Sequence, residues 1–201
     1  MTMTNANLAA LNQEELFQTA LDSGAGGDSD MAIASLKEAA GRADATAMTH
    51  YVLGAEQAQA GRYDHAIEAM EAALALDPGL HVARLQLGML YLGRQDAERG
   101  VEVLALLERL DAFHPLRHFA SGLVSLTRGD PAAALAALEQ GIGLNFDYPT
   151  LSVDMRRVAT EIVGQGVADA APPAPEPTAV PVADEGGQHV LLSAYTSNRS
   201  Y

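Results

Sequence analysis

Two groups of side chains have the types and the spacing that metal binding or catalysis would require. His114 and His118 lie four positions apart, a spacing that on one helix face brings two imidazoles to the same metal ion. Asp64, His65 and Glu68 combine carboxylates with an imidazole, as general acid–base chemistry does. Whether either group can act depends on the helices that carry it.

The helices predicted around these groups argue against both kinds of chemistry. Pro115 lies between the two histidines, so His114 is expected to precede a helix, and no third metal ligand is evident. His118 is better explained as a core side chain. Residues 64–68 begin another helix, where acidic side chains interact favourably with the helix dipole and the outer face is solvated. Since the sequence also lacks a nucleophile elbow, a phosphate loop and a dinucleotide fingerprint, we expect no enzyme activity, no metal and no cofactor.

The composition indicates an acidic and largely helical protein. Of the 201 residues, 26 are acidic and 12 are basic, which gives a formal net charge of −14. Such a surface repels phosphate backbones and anionic lipids, so we expect neither nucleic acid nor a membrane as a partner. A basic partner stays open beside the simpler role of charge in solubility. Ala and Leu are abundant in the first 165 residues and favour helix.

The sequence also bears on the compartment. It contains no cysteine, which excludes disulfides and thiolate metal sites but leaves the redox compartment undetermined. Residues 1–17 lack the basic region and the continuous apolar stretch of a secretory signal, and no run approaches the length of a membrane span. A cytoplasmic location is therefore the expectation.

Small and apolar residues recur with a period of 34 through most of the chain. Slots that show this period include Gly54, Gly88 and Gly122; Ala66, Gly100 and Ala134; Met70, Leu104 and Leu138. Gly61 and Gly129, two periods apart with Gln95 between them, mark the expected inter-helix turns. Two helices approach closely only where one of them lacks a bulky side chain, so recurring small residues predict repeated helix crossings. A period of this length is typical of a stack of helical repeats.

The period and its slots resemble the tetratricopeptide repeat. Residues 47–80 carry the likeness best, through Leu53, Gly54, Gly61, Tyr63, Ala66, Ala73, Asp77 and Pro78. His50, Arg84 and His118 stand where the family usually has an aromatic side chain in the first helix. The resemblance covers roughly residues 13–148. It implies an all-α, right-handed α-solenoid of about four helix-turn-helix repeats that binds other proteins.

This frame predicts the organisation of the chain. The expected segments are an N-terminal lead-in (1–12), a degenerate repeat (13–46), three repeats (47–80, 81–114 and 115–148), a capping helix (149–166), a Pro/Ala-rich linker (167–188) and an apolar tail (189–201). Asn12 with Glu15 resembles a capping box that opens the first helix. Asp130 before Pro131 predicts the start of a helix over 131–143.

The resemblance also implies a peptide-binding groove, because the first helix of each repeat lines the concave surface of such a solenoid. The side chains expected there are apolar and follow one helical stripe: Phe17, Leu21, Met48, Tyr51, Val82, Leu85, Met89, Leu92, Leu116, Phe119, Leu123 and Leu126. The opposite stripe is needed for packing within the repeat, so these helices are apolar on both sides. We expect a partner to cover the groove; the alternative is that neighbouring repeats bury most of these side chains.

A tail motif follows the polar linker. It consists of Val190, Leu191, Leu192 and Tyr195. A linker over 167–188 spans on the order of 25 Å as a random coil, enough to return to the repeats. The motif is therefore expected either to fill the groove of its own chain or to recruit a partner, with a frayed terminus as the alternative.

These features together predict an adaptor or chaperone that binds an apolar peptide or helix of a client protein. The size and acidic character resemble the chaperones that guard translocator proteins before secretion, although the linker and tail do not fit that subfamily. The groove positions hold no Lys or Asn for clamping a C-terminal carboxylate, so a co-chaperone role of that kind is rejected. The alternative is a structural component that forms a homodimer through its apolar faces and recruits part of a larger assembly through its tail.

Overall fold

The computed structural model describes the backbone of residues 5–169 and the side chains of residues 7–164. Within this range the chain consists of helices joined by turns, without a strand, which confirms the all-α expectation. The tail motif, and the linker beyond Asp169, lie outside the described residues. The chain falls into two compact units, with unit 1 ending at Gly100 and unit 2 beginning at Val101.

Unit 1 consists of antiparallel helix pairs. Its helices are α1 (Asn5–Leu8), α2 (Gln13–Ala25), α3 (Ser29–Ala40), α4 (Ala47–Gln59), α5 (Tyr63–Leu76) and α6 (His81–Gly93), followed by α7 (Ala97–Ala105), which crosses the boundary between the units. Helices α2 and α3 pack together, as do α4 and α5, while α4 also packs on α3 and α6 on α5. The short α1 packs on this framework through Leu8, and Arg42 donates hydrogen bonds to the carbonyls of Leu8 and Leu11.

Unit 2 has the same pairing. A short 3-10 helix (Leu106–Arg109) precedes α8 (Pro115–Thr127), α9 (Pro131–Leu144) and α10 (Pro149–Asp169). Helix α8 packs along α9, and α10 covers another side of α9. Asp130 accepts a hydrogen bond from the Ala133 amide at 2.9 Å directly before Pro131, so α9 begins where the sequence predicts.

One turn geometry recurs within each helix pair. Gly27, Gly61, Gln95 and Gly129 follow one another at the sequence period and have φ angles of 82°, 71°, 61° and 72°. In all four turns the following residue donates its amide to a carbonyl five positions earlier, at 2.8 to 3.0 Å. This hydrogen bond and the left-handed residue define a Schellman turn, which closes the first helix and reverses the chain.

The predicted capping box is also present. Asn12 accepts a hydrogen bond from the Glu15 amide at 2.9 Å, and the Glu15 carboxylate accepts one from the Asn12 amide at 2.8 Å. These two bonds satisfy amides that the first turn of α2 leaves without a partner in the helix.

Close helix crossings lie at the small residues that recur in the sequence. A Cβ at Gly54 would lie 2.9 Å from the Met70 side chain and 3.1 Å from the Ala66 carbonyl. Two periods later, a Cβ at Gly122 would lie 2.8 Å from Leu138 and 3.2 Å from the Ala134 carbonyl. Neither site has space for a methyl group, so these glycines let the paired helices approach closely.

Candidate protein-interaction surface

The most exposed large apolar side chains of the described residues lie at one end of the α8–α9 pair. Phe113 stands two positions before α8 begins, and Phe146 two positions after α9 ends. Because α8 and α9 are antiparallel, the start of one and the end of the other lie at the same end of unit 2. Phe113 is 77% exposed and Phe146 is 85% exposed. We call these two side chains the phenylalanine pair.

The loops that carry this pair are held by side-chain hydrogen bonds. Asp111 accepts a hydrogen bond from the Phe113 amide at 2.8 Å. On the other loop, Asn145 accepts one from the Tyr148 amide at 3.1 Å and donates to the Ser152 hydroxyl at 2.8 Å. Asn145 and Ser152 are themselves buried. Hydrogen bonds therefore hold in place both loops that carry the exposed aromatic rings. Little backbone entropy is lost when a partner binds to such loops.

The predicted groove side chains occupy two kinds of environment. Six of them are buried: Tyr51, Val82, Leu85, Leu116, Phe119 and Leu123. At these positions the chain itself covers the apolar stripe, which leaves little surface for a partner. At Phe119 the reason is visible, because a Cβ at Gly141 would lie 2.6 Å from its ring, so the ring packs between α8 and α9. This agrees with the alternative that packing inside the chain buries much of the stripe.

The other six groove positions are half-buried. They are Phe17, Leu21, Met48, Met89, Leu92 and Leu126. Leu92 packs within its own helix pair, since a Cβ at Gly100 would lie 2.6 Å from its side chain. A peptide-binding role for this set stays a prediction.

The two groups of chemically suggestive residues have structural roles. His114 caps α8 by accepting a hydrogen bond from the Leu116 amide at 3.2 Å, and His118 Nε2 lies 2.7 Å from the Ala112 carbonyl. Among the described side chains no three histidine, aspartate or glutamate residues are grouped to hold a metal ion. At the start of α5, Asp64 forms an ion pair with Arg94 at 2.8 Å. His65 lies 3.4 Å from Glu68, and this pair is exposed to solvent.

The family model of the tetratricopeptide repeat matches residues 47–80. These residues contain α4, α5, the Gly61 turn and the crossing at Gly54. The chain carries a tetratricopeptide repeat.

Solved structures share the fold of this repeat protein. A tetratricopeptide-repeat protein of Thermus thermophilus is similar with a TM-score of 0.60 and 22% identity, over 79% of this chain and 85% of that one. MamA of Desulfovibrio magneticus is similar with a TM-score of 0.56 and 16% identity, over 78% and 93% of the two chains. Another MamA structure has a TM-score of 0.57 and 21% identity, over 66% and 78%. No curated protein matches the sequence.

The predicted tetratricopeptide-like fold class is thereby confirmed. The matched repeat is typical of protein–protein interaction modules. No helix among the described residues is long and apolar enough to cross a bilayer.

The core of the repeat contains one ionisable side chain whose burial the sequence pattern does not predict. Glu56 of α4 is 1% exposed, and its Oε2 atom has no hydrogen-bond partner. Burial raises the pKa of Glu56 from 4.5 to about 7. In unit 2, burial likewise raises the pKa of Asp154 to about 6. These carboxyls make the stability of the fold depend on pH without indicating a reaction.

The periodic sequence pattern does not predict the phenylalanine pair either, because that pattern concerns side chains on helices and these two lie in loops. A usable signal was present: each phenylalanine lies a few positions before the proline that starts the next helix, at Pro115 and Pro149. A large apolar residue in such a polar loop has no place in the core of its own repeat.

Proposed function

We propose that the protein is a non-enzymatic cytoplasmic adaptor or chaperone that binds an apolar segment of another protein. The observation that carries the proposal is the phenylalanine pair, two aromatic side chains more than three-quarters exposed at the same end of unit 2. Aromatic residues are prominent among those that dominate binding energy at protein interfaces, and exposed apolar clusters mark interaction sites. Burying both rings under a partner would remove this apolar surface from water.

The charges beside the pair refine the chemistry of the partner. Asp111 is adjacent to the Phe113 loop and Asp147 directly follows Phe146; both are exposed. The whole chain carries a net charge of −14. A segment with apolar anchors flanked by Lys or Arg would complement these carboxylates, and the charge would accelerate the encounter. The proposed client segment is therefore apolar at its centre and basic at its ends.

The half-buried groove side chains form a second part of the proposal. Met48 and Met89 of unit 1 have flexible, polarizable side chains that adapt to irregular apolar partners. Their partial burial leaves surface for a peptide laid along α4 and α6. The tail motif would compete for this surface and so gate client binding, which predicts that removal of residues 186–201 increases client affinity.

Affinity capture from lysate of the source cells tests the proposal. Wild-type protein should retain a client that the Phe113→Ser/Phe146→Ser double variant retains about 10- to 100-fold less well. The control is Tyr63→Ser, which removes an aromatic side chain that is 47% exposed in unit 1. The helicity and the melting temperature of the double variant should be unchanged because its rings lie in solvent. Equal capture by all three proteins would contradict the proposal.

The same exposed rings also fit the alternative of self-association. In that case two copies would bury their phenylalanine pairs against each other, and the protein alone would show a mass that rises with concentration. The double variant would then be monomeric at every concentration. A wild-type monomer that gains mass only with a client favours the adaptor.

A further inference from the structure

An open cleft lies between α3, α4 and α5 of unit 1. It has a volume of about 330 Å³. Its floor contains the buried side chains Leu53, Gln57 and Ala69, and exposed Lys37 and His65 stand at its rim. A volume of this size is at the lower end of the range for ligand sites and suits one aromatic side chain.

In the following helix pair, the position equivalent to this cleft is filled by a side chain. One sequence period takes Gln57 to Tyr91, so Tyr91 occupies in α6 the slot that Gln57 occupies in α4. Tyr91 is 4% exposed, and its hydroxyl donates a hydrogen bond to Glu71 of α5 at 2.5 Å. The guanidinium of Arg99 lies 5.7 Å from the centre of its ring. A phenol side chain thus closes this second site.

The contacts of Tyr91 also have counterparts at the cleft. Glu71 corresponds to Lys37 and Arg99 corresponds to His65, each one period earlier, and both counterparts line the cleft. The cleft therefore has rim positions equivalent to those of the Tyr91 site, while the shorter Gln57 leaves its centre open. Glu68 also lines the cleft and lies 3.4 Å from His65. A carboxylate at the rim has been replaced by an ammonium group, so the hydroxyl that enters would accept from the rim.

Gln57 supplies the polar floor of the cleft. It is 3% exposed, and its Oε1 atom has no hydrogen-bond partner. A buried acceptor without a partner costs free energy, which an entering donor would recover once the Gln57 side-chain amide turns toward the cleft. A phenol hydroxyl both donates and accepts, so it can donate to Gln57 Oε1 while it accepts from the Lys37 ammonium. His50 also lines the cleft, and burial lowers its pKa, which favours a neutral imidazole beside the ring.

We propose that this cleft binds a tyrosine side chain presented by a partner protein. The site lies in unit 1 and does not depend on the phenylalanine pair of unit 2. The ring would lie over Leu53 and Ala69, in the space that Tyr91 fills in the next helix pair. The phenol hydroxyl would select tyrosine over phenylalanine through Gln57 and Lys37.

Titration of the full-length chain with N-acetyl-L-tyrosinamide, followed by NMR, tests the proposal. We expect saturable shifts of the Gln57 side-chain amide and the Ala69 methyl group in the millimolar range. N-acetyl-L-phenylalaninamide should bind at least about fivefold more weakly, since it leaves Gln57 without a donor. Equal binding of the two probes, or no shift with either in any form of the chain, would overturn the proposal.

Two variants locate the effect. Gln57→Tyr recreates the side chain of the next repeat, so it should fill the cleft, abolish probe binding and raise the melting temperature. If this variant does not fold, Gln57→Leu keeps the volume and should remove only the preference for tyrosinamide. Retained preference in Gln57→Leu would overturn the role of the amide.

The tail of the chain contains Tyr195 and Tyr201, which could also enter the cleft. The same experiment distinguishes these two side chains from a tyrosine of a partner protein. The wild-type chain should bind the probe as well as the Tyr195→Ser/Tyr201→Ser variant does. Binding by that variant alone would assign the cleft to the tail of its own chain and overturn the assignment to a partner.

Discussion

At the scale of single residues, two glycines of α9 show how much the close approach of two helices contributes to the free energy of unfolding. A Cβ at Gly141 would lie 2.6 Å from the Phe119 ring and 3.2 Å from His118 Cβ, whereas nothing lies within 4 Å of a Cβ at Gly143. Gly141→Ala should therefore lower the free energy of unfolding by about 1–3 kcal/mol through overpacking. Gly143→Ala should raise it by up to about 1 kcal/mol through helix propensity. Urea denaturation measures both, and equal effects would contradict the packing of Phe119 on α9.

Glu56 provides a prediction about pH at the same scale. Because burial raises its pKa from 4.5 to about 7, the folded chain holds a proton that the unfolded chain releases between these values. Its contribution to stability is thus complete below about pH 4.5 and is lost as the pH rises to about 7. Glu56→Gln should raise the free energy of unfolding at pH 8 by about 1–3 kcal/mol and leave it unchanged at pH 4. Denaturation at both values checks this, with exposed Glu139→Gln as control; a gain at pH 4 as large as at pH 8 would exclude the titration of Glu56.

At the scale of elements, the four Schellman turns give a prediction about Gln95. Gly27, Gly61 and Gly129 adopt positive φ without a Cβ, but Gln95 does so at φ 61° with one. The left-handed conformation costs an ordinary residue about 1–2 kcal/mol, so Gln95→Gly should stabilise the chain by up to about that amount. The reciprocal Gly61→Gln should destabilise it similarly. Melting temperatures that move in the same direction for both variants would contradict the turn geometry.

The helices were predictable from the sequence because their signals are local. Asn12, Asp130 and the prolines mark where helices start, and the period of 34 marks the turns and the crossings at Gly54 and Gly122. Burial was less predictable. A helical stripe shows which side chains share a face but not what covers that face, so Leu85 and Phe119 were expected in a groove and lie in the core.

At the scale of the whole molecule, the cleft over Gln57 and the exposed phenylalanine pair depend on tertiary contacts that a periodic sequence pattern does not contain. The cleft over Gln57 exists because a short side chain stands where Tyr91 stands one period later, which matters only once α3 and α5 are in place. The exposure of Phe113 and Phe146 depends on the two loops that hold them away from the core. The sequence thus predicts the fold better than it predicts which side chains are exposed.

Photo-crosslinking tests most directly whether the protein binds a client through the phenylalanine pair. The photoreactive residue p-benzoylphenylalanine would replace Phe113, Phe146 or, as a control, the exposed Tyr63 of unit 1. After irradiation in the source cells, we expect the probes at 113 and 146 to link to the same second protein and the probe at 63 not to link to it. Links to a second copy of this chain alone, or the absence of a link at both 113 and 146, would contradict the account.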